Sequence, residues 1–185
     1  MANALRLQAA RFALGLWVDA DQIKATVESL VDAGVWQEAF LPALVERHPR
    51  FDDVLPAFLA ALDHHGIAVP DKEAAIWQLI EHYLRDVVSA PSDALWQLGR
   101  FMDEVYGHCQ FDMPAKKYVG DSHRIEQLLS LYWAAGDMRE RPEITVNGQQ
   151  GPQAWVELNR LIVLEAERWL ADAELSSLPR APSGT

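Results

Sequence analysis

Residues 70–88 read PDKEAAIWQLIEHYLRDVV, and they contain the most regular hydrophobic pattern in the chain. Apolar side chains recur at helical spacing along one face: Ile76, Ile80, Tyr83, Leu84 and Val87. Polar side chains occupy the opposite face: Gln78, Glu81, His82 and Arg85. Because three to four apolar residues in every two turns are typical of a helix that covers a core, this stretch predicts an amphipathic α-helix.

The same periodicity extends over most of the chain on both sides of this helix. It predicts helices near residues 3–16, 19–34, 91–108, 122–135 and 151–175. The repeated tripeptides Leu41-Pro42-Ala43 and Leu55-Pro56-Ala57 predict two more helices, each with its proline in the first turn. Strands do not alternate with helices, so we expect an all-α fold. We predict a single domain of about eight antiparallel packed helices over residues 1–175, followed by a disordered tail over 176–185.

Two stretches lack helical periodicity, residues 110–121 and 137–150. Long ordered loops in small domains often carry function, and Lys116, Lys117 and Tyr118 in the first stretch can make specific contacts. The second stretch contains Ile144-Thr145-Val146 before Asn147-Gly148, which resembles a short strand and a turn. No second strand follows it, so we expect no sheet.

Composition restricts the classes of partner. The chain has 185 residues, with 27 acidic and 16 basic side chains and a formal charge of −11. Nucleic-acid binders cluster Lys and Arg, whereas the only adjacent lysines here are Lys116 and Lys117. We therefore expect no nucleic-acid partner, and the acidic charge favours a basic protein partner through electrostatic steering. No apolar run approaches the ~18 residues of a membrane span, and Arg11 interrupts the N-terminal apolar stretch, so we predict a cytoplasmic protein that binds no membrane.

Motifs of the common enzyme classes are absent from the sequence. It contains no glycine-rich phosphate loop, no HExxH and no GxSxG. The tripeptide Gly120-Asp121-Ser122 resembles the start of a Gly-Asp-Ser-Leu hydrolase block, but His123 replaces the leucine and no late Asp-x-x-His follows. We interpret Asp121 or Ser122 as the cap of the next helix. We predict a protein without catalytic activity and without a cofactor.

One set of side chains has the chemistry of a transition-metal site: His108, Cys109, Asp112 and His123. His108 and Cys109 are adjacent, so their side chains point about 100° apart on a helix. Cys109 falls on the apolar face of its helix, where it would act as a small core residue. We predict no metal site. An alternative function as a helical small-molecule- or metal-binding protein, or an enzyme, would use His108, His123 and Glu165. More simply, Glu165 lies at the edge of the apolar stripe and either reaches solvent or pairs with an arginine.

Trp96 is the candidate for a binding residue. Of the chain's seven tryptophans, periodicity places Trp77, Trp133, Trp155 and Trp169 against a core but not Trp96. Trp96 projects with Arg100 and Asp103, opposite Leu98 and Met102. An aromatic side chain beside an arginine and an acid is typical of an interaction hot spot. A second packing layer over the helix is the other interpretation.

The segment Tyr118-Val119-Gly120-Asp121-Ser122 is followed by Ile125-Glu126, Leu128-Leu129 and Tyr132-Trp133. This pattern resembles small bacterial all-helical proteins of unknown function, some of which are immunity proteins that neutralise a secreted toxin. The resemblance implies a cytoplasmic protein with a protein partner.

The leading hypothesis is a non-enzymatic protein-binding module, such as an immunity-type inhibitor, that covers its partner's functional site. Its partner-binding residues would be Trp96, Arg100, Asp103, Lys116, Lys117 and Tyr118. A self-associating protein with Trp96 in a homodimer contact is a further hypothesis.

Overall fold

A computed structural model describes residues 2–177 and confirms the all-α class, with eight helices and no strands in that range. Seven helices are regular: α1 Ala2–Ala13, α2 Ala20–Asp32, α3 Leu41–Val45, α4 Phe51–His64, α5 Lys72–Ser89, α7 Glu126–Glu140 and α8 Gly151–Ser177. The remaining helix, α6, covers residues 94–109 and contains a π-helical turn over Met102–Tyr106. No helix in the described range is long and apolar enough to cross a membrane.

Residue contacts divide the chain into two compact units, residues 1–79 and 80–185. The boundary falls within α5, so this helix contributes its first half to one unit and its second half to the other. The core of the first unit is formed by α1, α2, α3 and α4, with Phe40, Val54 and Phe58 fully buried. Phe12, Phe51 and Phe58 form an aromatic cluster whose ring centroids lie 5.7–6.3 Å apart. Such tilted and edge-to-face pairs add to the stabilisation from apolar burial.

The N-terminus of α2 is capped through two chain segments. The Asp19 carboxylate accepts a hydrogen bond from the Gln22 backbone N–H at 3.0 Å. The return bond of a capping box is made by Gln8 of α1, whose Oε1 accepts from the Asp19 N–H at 3.2 Å. Gln22 uses its side-chain oxygen to accept from Gln8 Nε2 at 2.7 Å. The cap therefore also joins α1 to α2.

The start of α4 differs from the sequence prediction. The helix begins at Phe51, so Pro56 lies in its second turn and not in the first. The Asp53 carboxylate accepts a hydrogen bond from the Arg50 backbone N–H at 2.9 Å, which supports this earlier start. The burial of Val54, Ala57 and Phe58 on one face stabilises the helix despite the missing proline N–H.

The core of the second unit is formed where α6, α7 and α8 pack together. Its fully buried residues include Leu98, Phe101 and Val105 from α6, with Leu128 and Ile162 from α7 and α8. Asn159 of α8 accepts a hydrogen bond from the Leu95 backbone N–H through its Oδ1 at 2.9 Å. This bond satisfies one of the unpaired N–H groups in the first turn of α6 and positions that turn against α8.

The helix predicted over residues 122–135 is displaced. Asp121–His123 forms a 3₁₀ turn, Arg124 adopts a positive φ of 59°, and α7 begins at Glu126. Gly136 does not end α7, which continues to Glu140 because Ala135 and Met138 are buried on its inner face. The irregular stretch predicted over residues 137–150 therefore begins only after Glu140.

Residues 145–150 contain a tight turn without a strand. Val146 and Gln149 form an isolated bridge, with Asn147 and Gly148 between them at φ values of 49° and 77°. Two successive positive φ values are typical of a type I′ turn, which agrees with the predicted Asn-Gly turn. At the other end of the chain, α8 extends to Ser177, so residues 176 and 177 are not part of a tail. The rest of the predicted tail, residues 178–185, lies outside the described residues.

Candidate functional site

Trp96 lies on the surface of α6 with 63% of its area exposed. The interpretation as a second packing layer is therefore wrong, because among the described residues no side chain buries Trp96 as a core residue is buried. Arg100, one turn later, places its Cζ 5.5 Å from the centroid of the Trp96 ring. This distance is that of a cation–π interaction, which holds the indole against its own helix and restricts its rotamers.

Arg100 is held by several groups in addition to Trp96. Its Nε lies 3.2 Å from Glu104 Oε1, and a terminal nitrogen lies 3.7 Å from Asp86 Oδ2. The buried Tyr83 ring lies beneath the guanidinium, 5.5 Å from its Cζ to the ring centroid. The Tyr83 hydroxyl also donates to Glu104 Oε2 at 2.5 Å. The position of the Trp96 side chain is thus linked to the core of the second unit through Arg100 and Tyr83.

Glu104 belongs to the π-helical turn Met102–Tyr106. In a π turn each backbone hydrogen bond joins residues five apart instead of four. Such turns inside α-helices are frequent at functional sites. Here one carboxylate in that turn binds both Tyr83 and Arg100. The turn thus contributes the group that fixes the arginine beneath the exposed tryptophan.

A cleft of about 350 Å³ opens beside Trp96. We call it the Trp96 cleft, and its walls come from the start and middle of α6, from α7 and from α8. Besides Trp96 and Arg100, the polar side chains that line it are Ser92, Asp93, Asp103, Tyr132, Arg139 and Asn159. The structure therefore brings the predicted residues Trp96, Arg100 and Asp103 together on one surface.

Three charged groups of the Trp96 cleft make no ion pair or hydrogen bond through their side chains within the described part of the chain: Asp93, Asp103 and Arg139. Asp93 precedes α6 without capping it through its side chain. All three side chains are exposed, so they are accessible to a charged group of a partner. The cleft therefore combines a fixed aromatic surface with charges that are not neutralised internally.

Lys116, Lys117 and Tyr118 form a second surface, which does not line the Trp96 cleft. The Asp121 carboxylate accepts hydrogen bonds from the backbone N–H groups of Lys116, Lys117 and Tyr118 at 2.8, 2.7 and 2.8 Å. These bonds, chiefly those from Lys116 and Tyr118, lower the pKa of Asp121. The prediction that Asp121 or Ser122 caps the next helix is wrong, because the Asp121 carboxylate turns back to the preceding loop and Ser122 Oγ lies 2.9 Å from His123 Nδ1.

Residues 116–119 of the 116–121 loop present their side chains to solvent. Tyr118 is exposed, and Lys117 Nζ lies 5.0 Å from the centroid of its ring. Gly120, next to the last residue of the loop, has a φ of 83°. A Cβ at that position would lie 2.6 Å from Leu129 Cδ1. The chain needs glycine there because both the backbone angle and the close approach to α7 exclude a side chain.

The residues proposed for the metal-binding alternative, His108, His123 and Glu165, do not form a metal-ligand cluster. Among the side chains that the structure describes, no three His, Cys, Asp or Glu side chains come together as a metal site would require. Cys109 is buried in the core, as its position on the apolar face predicts, and His123 is buried with its carbonyl accepting from Trp169 Nε1 at 2.9 Å. Glu165 lies 3.8 Å from Arg168, so of its two simpler sequence interpretations the structure supports the arginine pair.

Sequence reasoning missed several residues of the cleft and misplaced one tryptophan. Tyr132 and Asn159 join the cleft from other helices, and no local pattern connects them to Trp96. The sequence contained one sign that Asn159 has a structural role, since it is a polar residue between the apolar positions Leu158 and Leu161. Trp133 is 48% exposed, so the prediction that it packs against the core is wrong.

Comparison with protein-family models, with curated proteins and with solved structures finds no match for this chain. The resemblance to bacterial all-helical proteins and immunity proteins therefore stays a prediction.

Proposed function

We propose that this protein is a non-enzymatic binding module whose Trp96 cleft receives a protein partner. The observation that supports the proposal is the state of Trp96, which is largely exposed yet held on its helix by Arg100. An exposed tryptophan that is already ordered loses little conformational entropy when a partner covers it. Trp and Arg are also the residues most enriched in interface hot spots.

A basic partner agrees with the charge of the chain. The formal charge of −11 attracts a basic surface from a distance, and Asp93 and Asp103 are available in the cleft to pair with it. The exposed side chains of Lys116, Lys117 and Tyr118 in the 116–121 loop would form a second surface of this protein that contacts the partner. The mechanism is steric, because a helical face that covers the partner's functional site blocks it without chemistry. An immunity-type inhibitor in the cytoplasm is the specific form that we favour.

Capture of partners from a lysate of the source organism tests this function. We expect full-length wild-type protein to retain a specific basic protein, and the Trp96→Ala variant to bind it at least about 30-fold more weakly, the loss typical of a hot-spot residue. Trp36→Ala is the matched control, since Trp36 is 59% exposed and lies in the first unit.

Equal retention by wild type, Trp96→Ala and Trp36→Ala would exclude the Trp96 cleft as the binding surface. A captured partner that loses its own activity on addition of wild type, but not of Trp96→Ala, would support the inhibitor form. An undiminished partner activity would limit the function to binding.

A further inference from the structure

An apolar groove of about 560 Å³ lies between the turn Pro91–Asp93 and α8. Its apolar lining comes from Pro91, Val156, Val163 and Leu164. Val156 is 70% exposed and Leu164 is 52% exposed, although both lie on the longest helix of the second unit. When a partner removes such exposed apolar side chains from water, the free energy of binding becomes more favourable.

This groove adjoins the Trp96 cleft. Ser92 and Asn159 line both depressions, so the two lie side by side and share these residues as a common wall. Asn159 Oδ1 accepts from the Leu95 N–H, and Asn159 Nδ2 donates to the Trp155 carbonyl at 3.2 Å. The shared wall is therefore fixed by hydrogen bonds at Asn159. We call the two adjoining depressions the combined groove, which is apolar on the Val156 side and charged on the Trp96 side.

The charges on this combined groove are mostly negative once internal pairs are removed. Arg100 is paired with Glu104 and Asp86, and Arg160 is paired with Glu157 at 2.7 Å. Considering only the side chains that the structure describes, three lining carboxylates make no ion pair: Asp93, Asp103 and Glu167. Arg139 is the one lining cation that makes none with those side chains. A basic segment is the partner that complements this balance.

We infer that the combined groove binds a segment of the partner protein in which an apolar side chain stands next to a lysine or arginine. The inference rests on the proposed function and names the chemistry that its site recognises. The apolar side chain would lie on Pro91, Val156 and Leu164. The basic side chain would stack on the outer face of Trp96 and pair with Asp93 or Asp103.

Selection from a random 12-residue peptide library on the full-length protein tests the inference. We expect enriched peptides to combine Leu, Ile, Val or Phe with a neighbouring Lys or Arg. Val156→Ser/Leu164→Ser and Asp93→Asn/Asp103→Asn should each weaken binding of a synthetic copy of the leading peptide at least about tenfold. These side chains are exposed in the free protein, so circular dichroism and melting temperature should stay unchanged.

Two matched variants control for composition and charge. Leu41→Ser/Val45→Ser removes apolar residues of 50% and 74% exposure from the first unit, and Asp32→Asn/Asp63→Asn removes two exposed carboxylates from it. Both should bind the peptide as wild type does. Failure to enrich any peptide, enrichment of peptides without basic residues, or equal binding by groove and control variants would overturn the inference.

The outcomes separate this inference from the proposed function. Loss of partner capture in Trp96→Ala, with capture unchanged in both groove variants, would keep the proposed function and overturn the inference. A second copy of this chain is the alternative occupant of the combined groove, and sedimentation equilibrium detects whether the chain self-associates. Self-association that disappears in Val156→Ser/Leu164→Ser but not in Leu41→Ser/Val45→Ser would assign the groove to a homodimer and overturn the inference.

Discussion

The Trp96 cleft and the 116–121 loop are supported in different ways. The cleft is built on three helices, and its central arginine is held by side chains, Tyr83, Glu104 and Asp86. The loop has little regular structure, and its backbone is held by one carboxylate, Asp121, and by Gly120 against α7. A helical site can lose one exposed side chain without losing its shape, whereas a loop that depends on one group cannot.

The largest expected effect is on the support of the loop. Gly120→Ala should lower the free energy of unfolding by about 3 kcal/mol, because it adds a positive-φ penalty to a clash with Leu129 and Ile125. Gly148→Ala is the control, with a φ of 77° and no atom within 4 Å of the added Cβ, and should cost about 1 kcal/mol. Urea unfolding measures both. Equal losses would mean that backbone strain alone matters at Gly120.

The next effect concerns the support of the cleft. Tyr83→Phe removes the hydroxyl that donates to Glu104 and should lower the free energy of unfolding by about 1–2 kcal/mol, as for a hydrogen bond to a charged group. Tyr132→Phe alters the cleft wall at a hydroxyl without a hydrogen-bond partner in the described residues, and should change stability by less than about 0.5 kcal/mol. Similar values for the two variants would show that the Tyr83 bond adds no stability.

A local effect should distinguish loop from cleft. Asp121→Asn leaves one acceptor oxygen for three N–H groups and removes the negative charge, so amide exchange of Lys116, Lys117 and Tyr118 should accelerate about tenfold. Asp103→Asn in the cleft should leave exchange throughout α6 unchanged. Hydrogen exchange by NMR measures both variants. Unchanged exchange at residues 116–118 would show that other contacts hold the loop.

The smallest effect is a dependence on acid pH. Hydrogen bonds from Arg160 and then Asn147 lower the pKa of Glu157 to about 2, from 4.5 in the unfolded chain. Because the folded pKa is the lower one, the stabilisation by Glu157 is complete above pH 4.5 and decreases as the pH falls towards 2. We expect the Asn147 side-chain amide signal of the folded wild-type protein to shift with a midpoint near pH 2, where Glu157 takes up its proton. The shift should be absent in Glu157→Gln, and a shift that persists there would assign the titration to another group.

Much of the fold could be predicted from local patterns. Residues 70–88 have the apolar period of a helix, and α5 spans Lys72–Ser89. Helix ends were harder, because α7 begins and ends where buried contacts allow. Gly136 does not stop it, since Met138 on the following turn is buried. Burial of one further turn outweighs the weak helix propensity of a glycine.

The sequence by itself determined that Trp96 projects away from the apolar face of its helix, since angular position follows from helical spacing alone. Only the tertiary structure decided what surrounds Trp96. Tyr132, Arg139 and Asn159 reach the Trp96 cleft from α7 and α8, and the Asp121 carboxylate turns to the loop before it. Such contacts depend on how distant segments pack and on which N–H groups lack a partner, and neither property is written in the spacing of residues along one helix.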